Sequence, residues 1–224
     1  MSDLRLVIFD MDGTLIDSQH VIIAAMRRTF EVYGGPVPDD EAVRRIIGLS
    51  LPQVFETLRP EVGPTENARL VALYKDSFLS LRAEGREAHA PLYPGARAAL
   101  DRLAAADVLM SVATGKARRG LDHAVEVHGL EGLFSFTQTA DDARSKPHPE
   151  MVERCIALHG VRPGATVMVG DTEFDMAMAR GAGARAIGVR WGYHPEEMLS
   201  RGGAERLIGH YDELDGAAQS LWHP

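Results

Sequence analysis

The sequence predicts an α/β fold: a Rossmann-like parallel sheet core interrupted by an inserted four-helix domain. Three observations carry that prediction. Short, near-continuous apolar runs recur along the 224 residues, which is how strands covered on both faces read. Helical patterns fall between most of them, and strand–helix–strand alternation implies right-handed crossovers and a parallel sheet. One long stretch, 18–85, holds helical patterns and no strand candidate.

The first strand is "LRLVIFD" (4–10). The insert follows it directly. "SQHVIIAAMRRTFEVYGG" places Ile22, Met26 and Phe30 on one stripe and ends at Gly34-Gly35. "PDDEAVRRIIG" starts with an Asp cap and stops at Gly48. "SLPQVFETLRP" has Ser50 as its cap and Pro52 in its first turn. "TENARLVALYKDSFLSLRAEG" carries Leu70, Tyr74, Phe78 and Leu81 on one face. These helices form a domain over 18–85, with the α/β core made from 1–17 and 86–224. The crossings fall near Asp17–Ser18 and in "EGREAHAPLYPG" (84–95), whose Gly and Pro suit hinges.

The core then alternates. Helix 95–106 leads to strand 108–115, helix 117–129 to strand 133–139, and helix 149–160 to strand 165–171. Helix 175–183 leads to strand 184–190, and a weak strand (205–211) and a helix near 212–221 close the sheet.

Composition bounds the function. Net charge is -8 and the isoelectric point about 5.6, which argues against nucleic acid or an anionic membrane as partner. No run approaches the roughly 18 apolar residues of a membrane span. The single cysteine, Cys155, allows no intrachain disulfide and sits in a helical apolar pattern, where it reads as a buried structural thiol. "MSDLRLVIFD" lacks the apolar stretch of a signal peptide, so the expectation is a cytoplasmic protein, monomer or homodimer.

Ligands of open parallel sheets bind beyond the carboxyl ends of the strands. There this sequence delivers Asp10 and Asp12 after the first strand and Thr114-Gly115-Lys116 after the second. Lys146 follows the third, and Asp171 and Asp175 follow the fourth. In extended chain, Asp10 and Asp12 point to the same side. Carboxylates gathered in one spot need a cation between them, and oxygen-only ligands suit Mg²⁺. Thr114 and Lys146 supply a donor and a charge for an anion with several oxygens, as phosphoryl transfer requires. Gly13 allows close backbone approach, and the N–H groups of Met11–Gly13 and Gly115 suit phosphoryl oxygens.

"DMDGTLIDS", "VATGK", "SKPHPE" and "GDTEFDM" resemble, in order, the four motifs of the haloacid dehalogenase superfamily. The helical insert resembles that superfamily's cap of the first type, and the tail from Val189 resembles phosphoglycolate-phosphatase-like members. The resemblance implies a phosphatase acting on a small phosphorylated metabolite. Asp10 is then the nucleophile and Asp12 the acid and base. Asp10, the Asp12 main-chain carbonyl and Asp171 hold Mg²⁺. Thr114 and Lys146 bind the transferring phosphoryl group, and Asp175 supports the metal through water or steadies Lys146.

Dehalogenase members lack the second acid, because a halide leaving group needs no proton; Asp12 argues against that chemistry here. Phosphonatase-like members use a cap lysine, and Lys75, the one lysine in 18–85, reads as solvated surface. A sugar-phosphate mutase and a retired binding or regulatory protein stay open as alternatives. Taken alone, Asp10 and Asp12 read as turn residues. Asp17 and Ser18 read as helix caps, Lys116 as helix surface, the nine histidines as surface or loop, and Trp191 and Tyr193 as loop packing. Gly48, in a turn of the insert, is a candidate for substrate approach. The insert's basic residues Arg27, Arg28, Arg44 and Arg45 read as solvated face, any one of them a candidate for a distal substrate group.

Overall fold

The computed structural model describes residues 4–85 and 90–222. Strands β1 (Leu6–Phe9), β2 (Leu109–Ala113), β3 (Phe136–Gln138), β4 (Thr166–Gly170), β5 (Arg185–Val189) and β6 (Arg206–Ile208) form one sheet in the order β3-β2-β1-β4-β5-β6. Every neighbouring pair is parallel.

The apolar runs are continuous because both faces are covered. On β1, Val7 and Phe9 enter a cluster with Leu100 of α5 (Ala96–Ala105), Leu121 of α6 (Arg118–Val127) and Leu214 of α10 (Leu214–Trp222). Leu6 and Ile8 enter the opposite cluster, with Val152 of α7 (Glu150–His159), Met176 of α8 (Glu173–Gly181) and Leu199 of α9 (Glu196–Gly202). The chain winds from β1 to β2 to β3 and then returns to place β4 on the far side of β1. That reversal opens a crevice at the carboxyl ends of β1 and β4, where ligands of such sheets bind.

The insert contains α1 (Gln19–Tyr33), α2 (Asp40–Arg44), α3 (Leu51–Leu58) and α4 (Pro64–Ala83). They share a core of their own built on Met26, Phe30, Phe55, Leu70 and Tyr74. The rings of Phe30 and Phe55 lie 6.2 Å apart and those of Phe55 and Tyr74 6.4 Å apart. Helices as short as α2 and α3 are marginal alone, so the shared apolar face holds them.

The structure corrects several local expectations. The strand expected over 133–139 is three residues long, because it lies at the sheet edge. Helix α9 was not anticipated; its signals are Pro195 at the start and Gly203 in the left-handed region at the end. Asp39 caps α2 by accepting the Ala42 N–H at 2.7 Å, but that helix stops at Arg44 rather than running to Gly48. Ser18 and Ser50 occupy the N-cap positions of α1 and α3 without capping through their side chains. The hinge expected in 84–95 falls in part on residues 86–89, outside the described residues. Cys155 is buried, and burial pushes its thiol up to about 12, as befits a structural residue. No described helix is long and apolar enough to cross a membrane.

Candidate active site

Asp10 directly follows β1, and its N–H donates to the Val169 carbonyl at 3.0 Å, which continues the β1–β4 ladder one residue into the crevice. Asp171 emerges beside it from β4. Asp175 lies in the first turn of α8, where its Oδ2 accepts the Thr172 N–H at 3.1 Å in a capping box. Lys146 arrives from the loop after β3, its ammonium 2.8 Å from Asp10 Oδ1 and 2.6 Å from Asp175 Oδ1.

This cluster is deeply buried, with Lys146, Asp171 and Asp175 at 0% exposure and Asp10 at 1%. One ammonium pairs with two of the three carboxylates there. Burial raises the Asp10 carboxyl to about 6, with Lys146 pulling the other way and Asp175 and Asp12 adding to the rise. Asp171 is raised further by burial and by the charges of Asp175 and Asp10. Burial works against the Lys146 charge, yet Asp10 and Asp175 outweigh it and hold the ammonium above its ordinary value.

The carboxylates fit a cation. Single oxygens of Asp10, Asp171 and Asp175 lie within 4.8 Å of one another. Both oxygens of Asp171 are already oriented, by the Thr14 hydroxyl at 2.9 Å and the Tyr193 N–H at 2.9 Å. Asp10 Oδ2 accepts no hydrogen bond among the described residues. A buried carboxylate oxygen without a partner is costly unless a ligand satisfies it.

Asp12 is handled differently. Its carboxylate is absent from the metal-competent group and turns to Lys116 Nζ, 2.8 Å from each oxygen, and to the Ser18 hydroxyl, which donates at 2.6 Å. This corrects two expectations. Lys116 is not helix surface: it precedes α6, so its side chain folds back into the crevice at 16% exposure. The Ser18 hydroxyl serves Asp12 instead of capping α1, with Tyr193 Oη 3.2 Å away.

Thr114 sits buried at the end of β2, and its Oγ1 accepts the Lys116 N–H at 3.3 Å, which leaves its proton to donate. Two glycines let backbone close in. A Cβ on Gly13 (φ +85°) would lie 2.2 Å from Asp171 Oδ2, and one on Gly115 would lie 2.3 Å from the Gly48 carbonyl oxygen. Gly48 therefore touches the sheet edge directly. The Ser50 N–H donates to Ser145 Oγ at 2.8 Å, a second tie between insert and core.

His194 is a residue that sequence reasoning missed. It is 3% exposed, its Nδ1 accepts the Glu173 N–H at 3.1 Å, and its Nε2 donates to the Arg45 carbonyl at 3.1 Å. It thereby ties α8 to the end of α2. No metal-like spacing marked it, and only the fold brings these partners together. His148, by contrast, turns to the start of α7, its Nδ1 accepting the Glu150 N–H at 3.2 Å. Trp191 packs as expected, donating to the Thr14 carbonyl at 3.1 Å and lying 4.7 Å from the Tyr211 ring. Above the whole site, between the sheet edge and the insert, lies a cavity of about 890 Å³ whose walls include Asp10, Asp12, Thr114, Gly115, Gly48 and Lys116.

Known proteins resemble this chain in sequence and fold. The chain is 34% identical over 218 residues to a probable phosphatase, IndB, of Dickeya dadantii, covering 96% of this chain and 94% of that protein. It is 27% identical over 221 residues to a phosphoglycolate phosphatase of Vibrio parahaemolyticus, with 95% of each covered. A haloacid dehalogenase-like hydrolase from Streptococcus pneumoniae superposes with a TM-score of 0.82 at 24% identity, covering 97% of this chain and 99% of that one. The sequence profile of the haloacid dehalogenase-like hydrolases matches residues 7–189, most of the chain, and with the acidic crevice of a six-stranded parallel sheet this places the protein in that family.

Proposed function

We propose that the protein is a Mg²⁺-dependent phosphomonoester hydrolase that cleaves a small phosphorylated metabolite, phosphoglycolate-like or a sugar phosphate, through an aspartyl-phosphate. The observation that carries this reading is the buried cluster in which one ammonium, Lys146, pairs with Asp10 and Asp175 beside Asp171, while Asp10 Oδ2 accepts no hydrogen bond among the described residues. The phosphatase names of full-length relatives support it.

Asp10, Asp171 and Asp175, with the Asp12 main-chain carbonyl, would hold Mg²⁺. When bound, the cation offsets repulsion between the carboxylates and the phosphoryl oxygens and stabilises charge that develops on them. Lys146 fixes one Asp10 oxygen by its ion pair, which leaves Oδ2 to attack phosphorus. The Thr114 hydroxyl and the N–H groups near Gly13 and Gly115 hold the phosphoryl oxygens. As the new Asp10–phosphorus bond forms, the bond to the leaving oxygen breaks and Asp12 gives that oxygen a proton. Water then attacks the phosphoryl group, Asp12 takes the water's proton, and the bond to Asp10 breaks to release phosphate. Ser18 and Lys116 hold the Asp12 carboxylate at the side where the leaving group departs.

Residues 18–85 act as a cap that closes over the catalytic core of 1–17 and 86–224 and excludes bulk water. The net negative charge and the single buried cysteine support a cytoplasmic setting.

The test is direct. Purified protein with Mg²⁺ and an aryl phosphate releases phosphate, stops with a chelator, and fails as Asp10→Asn. Interconversion of sugar phosphates faster than phosphate release would make it a mutase instead. No turnover, and no labelling of Asp10 by phosphate mimics, would leave only a binding role.

A further inference from the structure

We propose that the preferred substrate is a phosphomonoester whose alcohol carries a bulky, ring-bearing apolar body, rather than a short carboxylated alcohol; this rests on the phosphatase reading above and replaces its phosphoglycolate-like and sugar-phosphate substrates. The cavity at the reaction centre encloses about 890 Å³, within the range of pockets that surround ligands of drug size. A two-carbon leaving group would leave most of it filled by water.

The side facing the reacting carboxylates is polar, whereas the side contributed by the insert is mostly apolar. Met26, Ile46, Tyr74 and Phe78 line it, with Lys75 and Arg82 as its charged residues. Met26, Ile46 and Tyr74 are already buried at 2%, 6% and 8% exposure, so the wall is built before any ligand arrives. The ring centroids of Tyr74 and Phe78 lie 6.1 Å apart with a 33° tilt, which forms a continuous aromatic surface.

Lys116 connects that surface to the chemistry. Its ammonium lies 2.8 Å from both Asp12 oxygens and 6.0 Å from the centre of the Phe78 ring. The leaving oxygen must emerge beside Asp12 to receive its proton. The body of the alcohol attached to that oxygen is therefore delivered against Phe78. Lys116 is engaged with Asp12 and not free to pair with a distal carboxylate. The exposed Arg119 stands where the cavity meets a shallower hollow at the surface. It draws the anionic ester toward the mouth of a chain whose net charge is -8.

The experiment compares kcat/KM, with Mg²⁺ present, for four phosphate esters: ethyl phosphate, 2-phosphoglycolate, 2-phenylethyl phosphate and 2-(1-naphthyl)ethyl phosphate. The ethyl and arylethyl members are primary alkyl esters, so leaving-group chemistry stays nearly constant and pocket fit varies. The expected result is that naphthylethyl phosphate exceeds ethyl phosphate and 2-phosphoglycolate by about tenfold or more. In Phe78→Ala the naphthylethyl-to-ethyl ratio falls toward one. A ratio is insensitive to the fraction of variant that folds. A preference for 2-phosphoglycolate, or a ratio unchanged in Phe78→Ala, overturns the proposal. Turnover of none of the four esters overturns the phosphatase reading itself, and this inference with it.

Discussion

At the sheet edge, Lys146 is wholly buried between Asp10 and Asp175. In the insert, charge lies outside: Arg27 and Asp40 pair with their side chains 56% and 43% exposed, and the interior is Phe30, Phe55 and Tyr74. Exposed pairs contribute little to stability. A buried pair rarely repays its desolvation, and an incomplete one is costly. The insert therefore reads as packing for stability and closure. The sheet edge reads as a place where stability is given up to hold charge for a ligand.

Substitutions can break that contrast. The largest effect belongs to Asp10→Asn, expected to lower kcat by about 10⁴-fold or more, as loss of a nucleophile does, while the fold holds. Residual turnover near that of the parent would mean that Asp10 is not the attacking group. Lys146→Met comes next. It removes a phosphoryl-binding charge, for a loss of about 10²–10³-fold, and it leaves two buried carboxylates unpaired, at about 3–5 kcal/mol. Added Mg²⁺ should restore part of the melting temperature. Phe55→Ala, in the wholly buried core of the insert, should cost a similar 3–5 kcal/mol or about that yet keep kcat below its melting transition. Equal kcat losses in the two variants would erase the distinction between the regions.

Gly115→Ala probes the seam. Its Cβ would meet the Gly48 oxygen at 2.3 Å and the Leu49 oxygen at 2.8 Å, both backbone atoms, so the insert has to shift. Misplacement of about 1 Å can cost about 10²-fold, so a loss of that order in kcat/KM is expected, with a small change in melting temperature. Steady-state kinetics beside a thermal melt check it.

Much of this is legible in the residues. The parallel sheet follows from alternation, though its strand order does not, and Asp10, Thr114, Lys146, Asp171 and Asp175 are each placed by the strand they follow. What stayed hidden depends on contacts across chain distance. Lys116 and Asp12 are 104 residues apart, and nothing in "TGK" says whether the lysine lies along a helix or folds back before it starts. His194 and Arg45 are 149 residues apart and meet through a backbone carbonyl, which leaves no trace in residue type. Local capping rules give Ser18 to its neighbouring helix, but its hydroxyl turns to donate to the Asp12 carboxylate and its oxygen accepts no N–H of the helix.

The smallest effect is a pH slope that only the sheet edge can produce. The Asp10 carboxyl ordinarily titrates at 3.8, but burial raises it to about 6 in the folded chain. Between those values the folded protein holds a proton that the unfolded chain has released, so stability falls as pH rises through this window. Asp171, also raised, extends the same trend. Surface acids such as Glu150, held down to about 2 by its hydrogen bonds with Arg144 and Arg154, act with the opposite sign and are ionised before the window opens. In chelator, the melting temperature should therefore drop from pH 4.5 toward 6.5, and Asp10→Asn should lose much of that slope. With Mg²⁺ the slope should flatten or reverse, because the cation binds only the deprotonated carboxylates and gains affinity as pH rises. Parallel melting curves for parent and Asp10→Asn in chelator would mean that the cluster is not strained by its charge, and the contrast with the insert would lose its physical basis.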